Sequence, residues 1–189
     1  MKLLRPNPLG SLFILVVAVQ GVTSMLTVSK PQRNDPLDVI RQLKGDPDGF
    51  KHLGDDGILR SYDGNGTVID YARFDQDQLM AVAGWAGSPD EKDHLKNLWK
   101  DVDTLKVEEN QIWAPPSHLR PAVLKEQGLY DQLRDEEEGR LDSFEGMKEK
   151  RREQVRCREL YCPNKRACDL ALCDDCLVID SMRKGRCVN

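Results

Sequence analysis

The sequence predicts an α+β protein, mainly helical, with one β-hairpin, several amphipathic helices and a small disulfide-stapled C-terminal module. Three observations carry this reading. All six cysteines of the 189 residues lie beyond residue 156. One turn-forming run, Asp63-Gly64-Asn65-Gly66, separates two stretches of β-formers. Helix-start residues recur ahead of apolar residues spaced three and four apart.

Residues 1–24 read as an address. Lys2 and Arg5 supply positive charge, Leu9 to Val19 is uncharged, and small residues follow at Val22-Thr23-Ser24. This is the grammar of a secretory signal peptide, cut after Ser24 or, as second choice, after Gly21. A membrane anchor needs about 20 apolar residues, and this run stops at Gln20. The mature protein is expected outside the cell and not inserted in a membrane.

The body, residues 25–116, begins with a short helix over 35–44, where Asp35 caps, Pro36 occupies the first turn and Gly45 stops it. Residues 45–57, dense in glycine, proline and aspartate, read as a loop. The hairpin pairs Ile58–Tyr62 with Thr67–Phe74. Its tip holds Asn65-Gly66-Thr67, an N-glycosylation acceptor at Asn65 whose competing reading is a plain turn. A calcium loop is set aside there, because Val68 stands where the sixth-position glycine belongs. A helix around 76–85 follows, and Ser88-Pro89-Asp90-Glu91 opens another in which Leu95, Leu98, Trp99, Val102 and Leu105 recur over about 17 residues. Trp85, Trp99, Leu79, Val82, Ile58, Leu59, Val68 and Ile69 form the expected core. A ligand groove lined by the tryptophans is the less economical alternative.

Ala114-Pro115-Pro116 marks a boundary, after which 117–156 reads as a helical and charged connector. Helical spacing continues over 121–133. From Arg134 to Gln154, 14 of 21 residues are charged, with only Leu141, Phe144 and Met147 as bulky apolar groups. Lys150-Arg151-Arg152 lies where a protease would reach it. A cut after Arg152 would release residues 153–189 as a 37-residue peptide, whereas the plain reading is a solvated basic face.

The module 157–189 is too small to offset its chain entropy by burial, so cross-links must supply the difference. Cys157, Cys162, Cys168, Cys173, Cys176 and Cys187 are an even set in a protein bound for an oxidising compartment, and they read as three disulfides with fifteen possible pairings. If residues 166–178 are helical, Cys168, Cys173 and Cys176 share an arc of roughly 140°, which favours Cys157, Cys162 and Cys187 as their partners. A zinc site built on Cys173 and Cys176 lacks the second close pair of a zinc ribbon. A redox role is disfavoured by Asp174 and Asp175 between those cysteines.

Function is less legible. A net charge of -4 gives no electrostatic reason to bind nucleic acid. His52, His94 and His118 fall in different elements, and no nucleophile elbow, phosphate loop or metal-binding histidine pair is present. No cofactor, metal or catalytic residue is assigned. The signal peptide, the hairpin sequence ILRSYDGNGTVIDY and the tail array beginning CRELYC resemble the small secreted cysteine-rich proteins of filamentous ascomycete fungi. That resemblance implies a candidate effector acting on a host; the chain itself is read as a monomer that binds a protein or cell-surface target without catalysis. The tail's six basic against five acidic residues favour it as the contacting surface. The alternatives are a proprotein that yields a toxin or antimicrobial peptide and, behind it, a small secreted hydrolase, which would require convergent carboxylates or a histidine with a partner.

Overall fold

Two expected elements form as read. The Asp35 side chain accepts from the Leu37 amide and caps helix α1 (Pro36–Gln42), with proline in the first turn where a missing N–H costs nothing. The turn at 63–66 joins β2 (Ile58–Tyr62) to β3 (Val68–Arg73) as an antiparallel pair. Gly66 supplies the positive φ, 78°, and Asp63 Oδ1 accepts from the amides of Asn65 and Thr67. These features belong to a computed structural model that describes residues 35–126, 128, 156–182 and 184–189. All of them lie in one compact unit, Arg33–Asn189. The signal-peptide segment, the basic cluster at 150–152 and the charged run 134–154 lie outside the described residues.

The expectation of a mainly helical chain with a single hairpin is overturned. Strands β1 (Phe50–Leu53), β4 (Tyr161–Cys162), β5 (Asp175–Ile179) and β6 (Gly185–Val188) extend the hairpin into a six-stranded mixed sheet of order β3-β2-β1-β5-β6-β4. The fold is sheet-rich α+β. Two local readings fail with it. Residues 45–57 are not all loop, since Phe50-Lys51-His52-Leu53 is a fully buried strand that pairs with β2 on one side and β5 on the other. Buried on both faces, it shows no alternation of apolar and polar residues. Nor is 166–178 one helix: a short helix (Lys165–Leu170, α6 in chain order) ends, and β5 starts at Asp175.

Alternation along the strands sorts the side chains onto two cores. One face carries Leu53, Leu59, Leu177 and Val188, covered by α1, α2 (Gln76–Ala83) and α3 (Pro89–Trp99) through Ile40, Leu79, Val82, Leu95 and Trp99. The other carries Phe50, Tyr62, Val178, Cys162, Cys176 and Cys187, packed with Val123, Ala167 and Cys168. Helix α2 has a complete capping box, Asp75 with Gln78. At α3 only half the expected box forms: Ser88 Oγ accepts from the Glu91 amide, but the Glu91 carboxylate accepts from Gly87 N. Helix α3 is 11 residues long and ends at Trp99, short of the expected 17, and Leu105 is 82% exposed. Trp99 Nε1 donates to the Gly54 carbonyl in the core, and Trp85 is half-buried.

Beyond α3 the chain is pinned by two arginines. Arg60, fully buried on β2, forks onto Asp56 at 3.0 and 2.6 Å and donates from Nε to the Ile112 carbonyl. Arg73 donates to the carbonyls of Thr104 and Val107. They hold the stretch leading into α4 (Glu109–Trp113) and, after a 3₁₀ turn at Ser117–Leu119, α5 (Ala122–Lys125). The helix expected over 121–133 is described only to Lys125.

The parallel pairing of β1 with β5 joins residues far apart in sequence, and a buried ion pair sits across it. Lys51 Nζ donates to Asp175 Oδ2 at 2.5 Å and also to the Ile40 carbonyl, and both side chains are almost wholly buried. Burial raises the pKa of Asp175 against the pull of the Lys51 ammonium. Removing one partner strands the other charge. Lys51→Met is therefore expected to cost about 3–5 kcal/mol in urea unfolding. The double change Lys51→Met with Asp175→Leu should cost less than that single change, and additive losses would show that the pair is not coupled.

Candidate functional site

The six sulfurs are fully used. Cys157 bonds Cys173, Cys162 bonds Cys176 and Cys168 bonds Cys187, with Cα atoms 5.8, 5.9 and 5.5 Å apart. No thiolate is left among them for zinc or redox chemistry. Each of Cys168, Cys173 and Cys176 is joined to one of Cys157, Cys162 and Cys187, but for a reason other than a shared helix. Cys162, Cys176 and Cys187 stand on one face of β4, β5 and β6, and α6 brings Cys168 onto that face. The bridges close intervals of 16, 14 and 19 residues, each worth about 3 kcal/mol of unfolded-chain entropy.

The Cys162–Cys176 bridge spans from β4 to β5 across β6, directly over Gly185. A Cβ on that residue would lie 2.6 Å from Cys176 Sγ and 3.1 Å from Cys162 Sγ. Glycine is required there by contact, not by its φ.

Two clefts on the described surface gather charged side chains. The larger, about 420 Å³, has Lys51 and Asp175 at its floor and Arg41, Asp174, Lys165 and Asp169 in its walls. Each of these cations has its own carboxylate within 2.7 Å, so the cleft offers no uncompensated charge. The smaller, about 200 Å³, is lined by Glu91, His94, Leu95, Ile179, Asp180, Ser181 and Met182. Here titratable groups converge.

Asp180 is the centre of that convergence. It follows β5, just as Asp55 follows β1, so the parallel pairing places both aspartates at the carboxyl ends of neighbouring strands. Asp180 takes a left-handed backbone, φ 50°, uncommon for a residue with a Cβ, and its amide donates to the Leu53 carbonyl. The Asp55 carboxyl lies beside that of Asp180, close enough for the two to interact through one proton. His94 Nε2 lies 3.1 Å from Asp180 Oδ2, and Ser181 Oγ donates to the same oxygen at 3.2 Å. His52 Nε2 donates to the Asp180 carbonyl at 2.9 Å, which leaves its buried Nδ1 without a partner among the described residues.

The environment divides the protons among these groups. Burial, the hydrogen bond to Asp180 and the Asp180 charge push Asp55 up to about 6. Burial also opposes ionisation of Asp180, yet hydrogen bonds from Asp55, His94 and Ser181 hold its carboxylate below the ordinary range. His52, wholly enclosed, is pushed down to about 4 by burial. Below about pH 6 the arrangement is a carboxyl–carboxylate pair, with an exposed imidazole on its outer side at the mouth of the cleft.

The histidines, read as occupants of separate elements, are thus not all isolated: His52 and His94 both contact Asp180. His118 is exposed in the 3₁₀ turn, its carbonyl accepting from Lys125 Nζ. Asn65 is exposed at the hairpin tip, and Lys150, Arg151 and Arg152 lie outside the described residues. Sequence reasoning missed Lys51, Asp55, Asp175 and Asp180. The one available signal was the run Leu177-Val178-Ile179 ending in Asp180, which has strand composition.

One curated relative is the "Lactobacillus up-regulated protein" of Emericella nidulans (strain FGSC A4), a filamentous ascomycete. It is 33% identical over 118 residues, covering 58% of this chain and 66% of that protein, slightly under two thirds of its length. No protein-family model matches the chain. No solved structure matches it either. Among the described residues no helix is long and apolar enough to cross a membrane.

Two outcomes are expected from this geometry. Gly185→Ala overpacks the bridge and should cost about 1–3 kcal/mol, with alkylation revealing free thiols at Cys162 and Cys176; full oxidation at unchanged stability would contradict the contact. The pH dependence follows from the shifts. Asp55, raised in the fold, contributes stability that is complete below the ordinary carboxyl range and is lost as pH rises through about 6. His52, depressed, contributes stability that is present above 6.5 and is lost as pH falls through about 4. In urea titrations between these limits, and relative to the unaltered protein, Asp55→Asn should therefore gain stability with rising pH and His52→Gln should lose it. Parallel slopes in the two variants would refute the assignment.

Proposed function

We propose that this chain is a secreted, disulfide-stabilised interaction protein of a filamentous fungus, which meets an extracellular or host target and acts by binding. The observation that carries the reading is the set of three disulfides in a tail that supplies three strands of the sheet. A fold so dependent on cross-links suits an oxidising compartment and a medium containing proteases. The hydrophobic segment at residues 9–19 and the fungal relative support the same placement. That relative's name ties its up-regulation to a bacterium, which suits a protein that works where organisms meet. Asn65, exposed at a turn, is a fitting glycan acceptor in such a pathway.

The proprotein alternative is disfavoured by packing. Leu177 and Val188 lie in one core and Cys176 and Val178 in the other, each shared with body residues, and Lys51 pairs with Asp175. A cut after Arg152 would leave the tail bound through β1, so an active free peptide would require the β1–β5 seam and the cores on either side of it to part.

A second, catalytic reading is favoured by one observation, the Asp55–Asp180–His94 cluster at a cleft. The two carboxyls lie side by side, closer than the spacing of a glycosidase acid and nucleophile. The pairing fits proton transfer at a single position better than attack from two sides of a bond.

Intact-mass analysis of the producer's culture medium tests the main reading. A species of roughly 19 kDa beginning at Met25, taking up six alkyl groups only after reduction, is the expected result. A species beginning at Glu153, or retention of the protein inside the cell, would overturn it.

A further inference from the structure

At the edge of the sheet, β4 and β6 set Tyr161 and Arg186 opposite each other, on the face that carries α2 and α3. The Arg186 guanidinium lies 5.4 Å from the Tyr161 ring centre. A Cβ on Gly87 would meet its two terminal nitrogens at 3.2 Å, so the missing side chain leaves that arginine its place. Arg158 lies over Trp85, 4.4 Å from the ring centre. Both guanidiniums therefore lean on the same three-residue turn, Trp85-Ala86-Gly87.

Among the described residues these two arginines lack the acid partner that several other cations of the protein have, and each lies against an aromatic ring instead. Arg41, Lys51, Arg60, Lys165 and Arg166 each lie within 2.8 Å of a carboxylate. Arg158 and Arg186 have none among the described residues. The acids beside them are engaged elsewhere: Glu159 pairs with Arg156 at 3.1 Å, and Glu91 accepts from the Gly87 amide. Arg186 Nε is buried without a hydrogen-bond partner. In a chain with an acidic balance, two guanidiniums without an acid partner thus stand against aromatic rings beside one turn. Contact with the ring restricts each side chain before any ligand arrives, while its planar donor fork still matches a carboxylate.

We infer that Trp85, Arg158, Tyr161 and Arg186 bind the carboxylates of a uronate-bearing polysaccharide, an inference that rests on the extracellular binding reading above. The surface favours a glycan over an acidic peptide. Edge strand β4 has only two residues, too few to accept an extended peptide by strand addition. Tyr161, 53% exposed, instead offers a flat ring beside a charge fork, the combination that a sugar ring carrying a carboxylate can cover.

The test is affinity electrophoresis of the oxidised full chain in gels containing polygalacturonate, an uncharged glucan or poly-glutamate. Polygalacturonate alone should retard it, and retardation should fade as salt rises from about 50 to 500 mM. Arg158→Ala and Arg186→Ala should each weaken binding about tenfold or more. Arg158→Lys, which keeps the charge and loses the fork, should weaken it as well. Near-UV circular dichroism checks folding, and should Arg186→Ala misfold, the exposed Arg158 decides the matter. No retardation by polygalacturonate, unchanged binding in folded Arg158→Ala, or equal retardation by poly-glutamate would overturn the inference, the last in favour of an acidic peptide. Retention of the protein inside the producing cell would sink the extracellular reading and leave this binding result standing.

Discussion

The parallel seam between β1 and β5 is the constraint on which the rest of the structure depends. It is a short seam, with Lys51, His52 and Leu53 in register with Leu177, Val178 and Ile179, and it joins a segment near residue 50 to one near residue 177. A parallel pair of this kind cannot be closed by a tight turn and needs a long crossover. Everything between the two strands, from the hairpin to the cysteine-rich tail, is that crossover. The Lys51–Asp175 pair lies at the seam and is costly to bury. Its geometry answers that cost with complementary charge and with a carbonyl from α1, so the helix, the central strand and the tail strand are tied at one ammonium.

Side-chain alternation then gives the two faces different means of cohesion. On the helical face, cohesion is apolar: Trp99, Leu79, Val82, Leu95 and Ile40 cover Leu53, Leu59 and Leu177. On the opposite face the cover is small, chiefly the six-residue α6, and covalent bonds supply much of what burial does not. The Cys162–Cys176 bridge passing over Gly185 shows how tight that layer is. A disulfide can cross a strand only where the strand has no side chain on that face.

The same seam organises the chemistry. Loops leaving the carboxyl ends of β1 and β5 are adjacent because the strands are parallel, and they bring Asp55 and Asp180 side by side. Helix α3 adds His94 and β1 itself adds His52 from beneath. The other end of α3 sits near the turn that supports Arg158 and Arg186. The aspartate–histidine cluster and the two ring-stacked arginines thus adjoin through Glu91, which lines the cleft and accepts from the Gly87 amide, and neither is evident from the overall charge.

Local signals in the sequence determined the local structure. Asp35 with Pro36, Asp75 with Gln78, and Asp63 to Gly66 specify their helix starts and turn through contacts within a few residues, and those elements form where expected. The cysteines likewise announced a cross-linked tail, because an even set of thiols crowded at one end of a chain pairs with itself in an oxidising compartment. What only the tertiary structure decided was every feature that depends on distant partners. Strand β1 was hidden because Lys51 and His52 look solvent-facing until a carboxylate and a carbonyl more than 120 residues away make their burial tolerable. Strand β5 was mistaken for part of a helix because a short apolar run has no period of its own. The convergence of Asp55, His94 and Asp180 was invisible for the same reason: hydrogen bonds between remote residues leave no pattern along the chain, and only the register of a sheet brings them together.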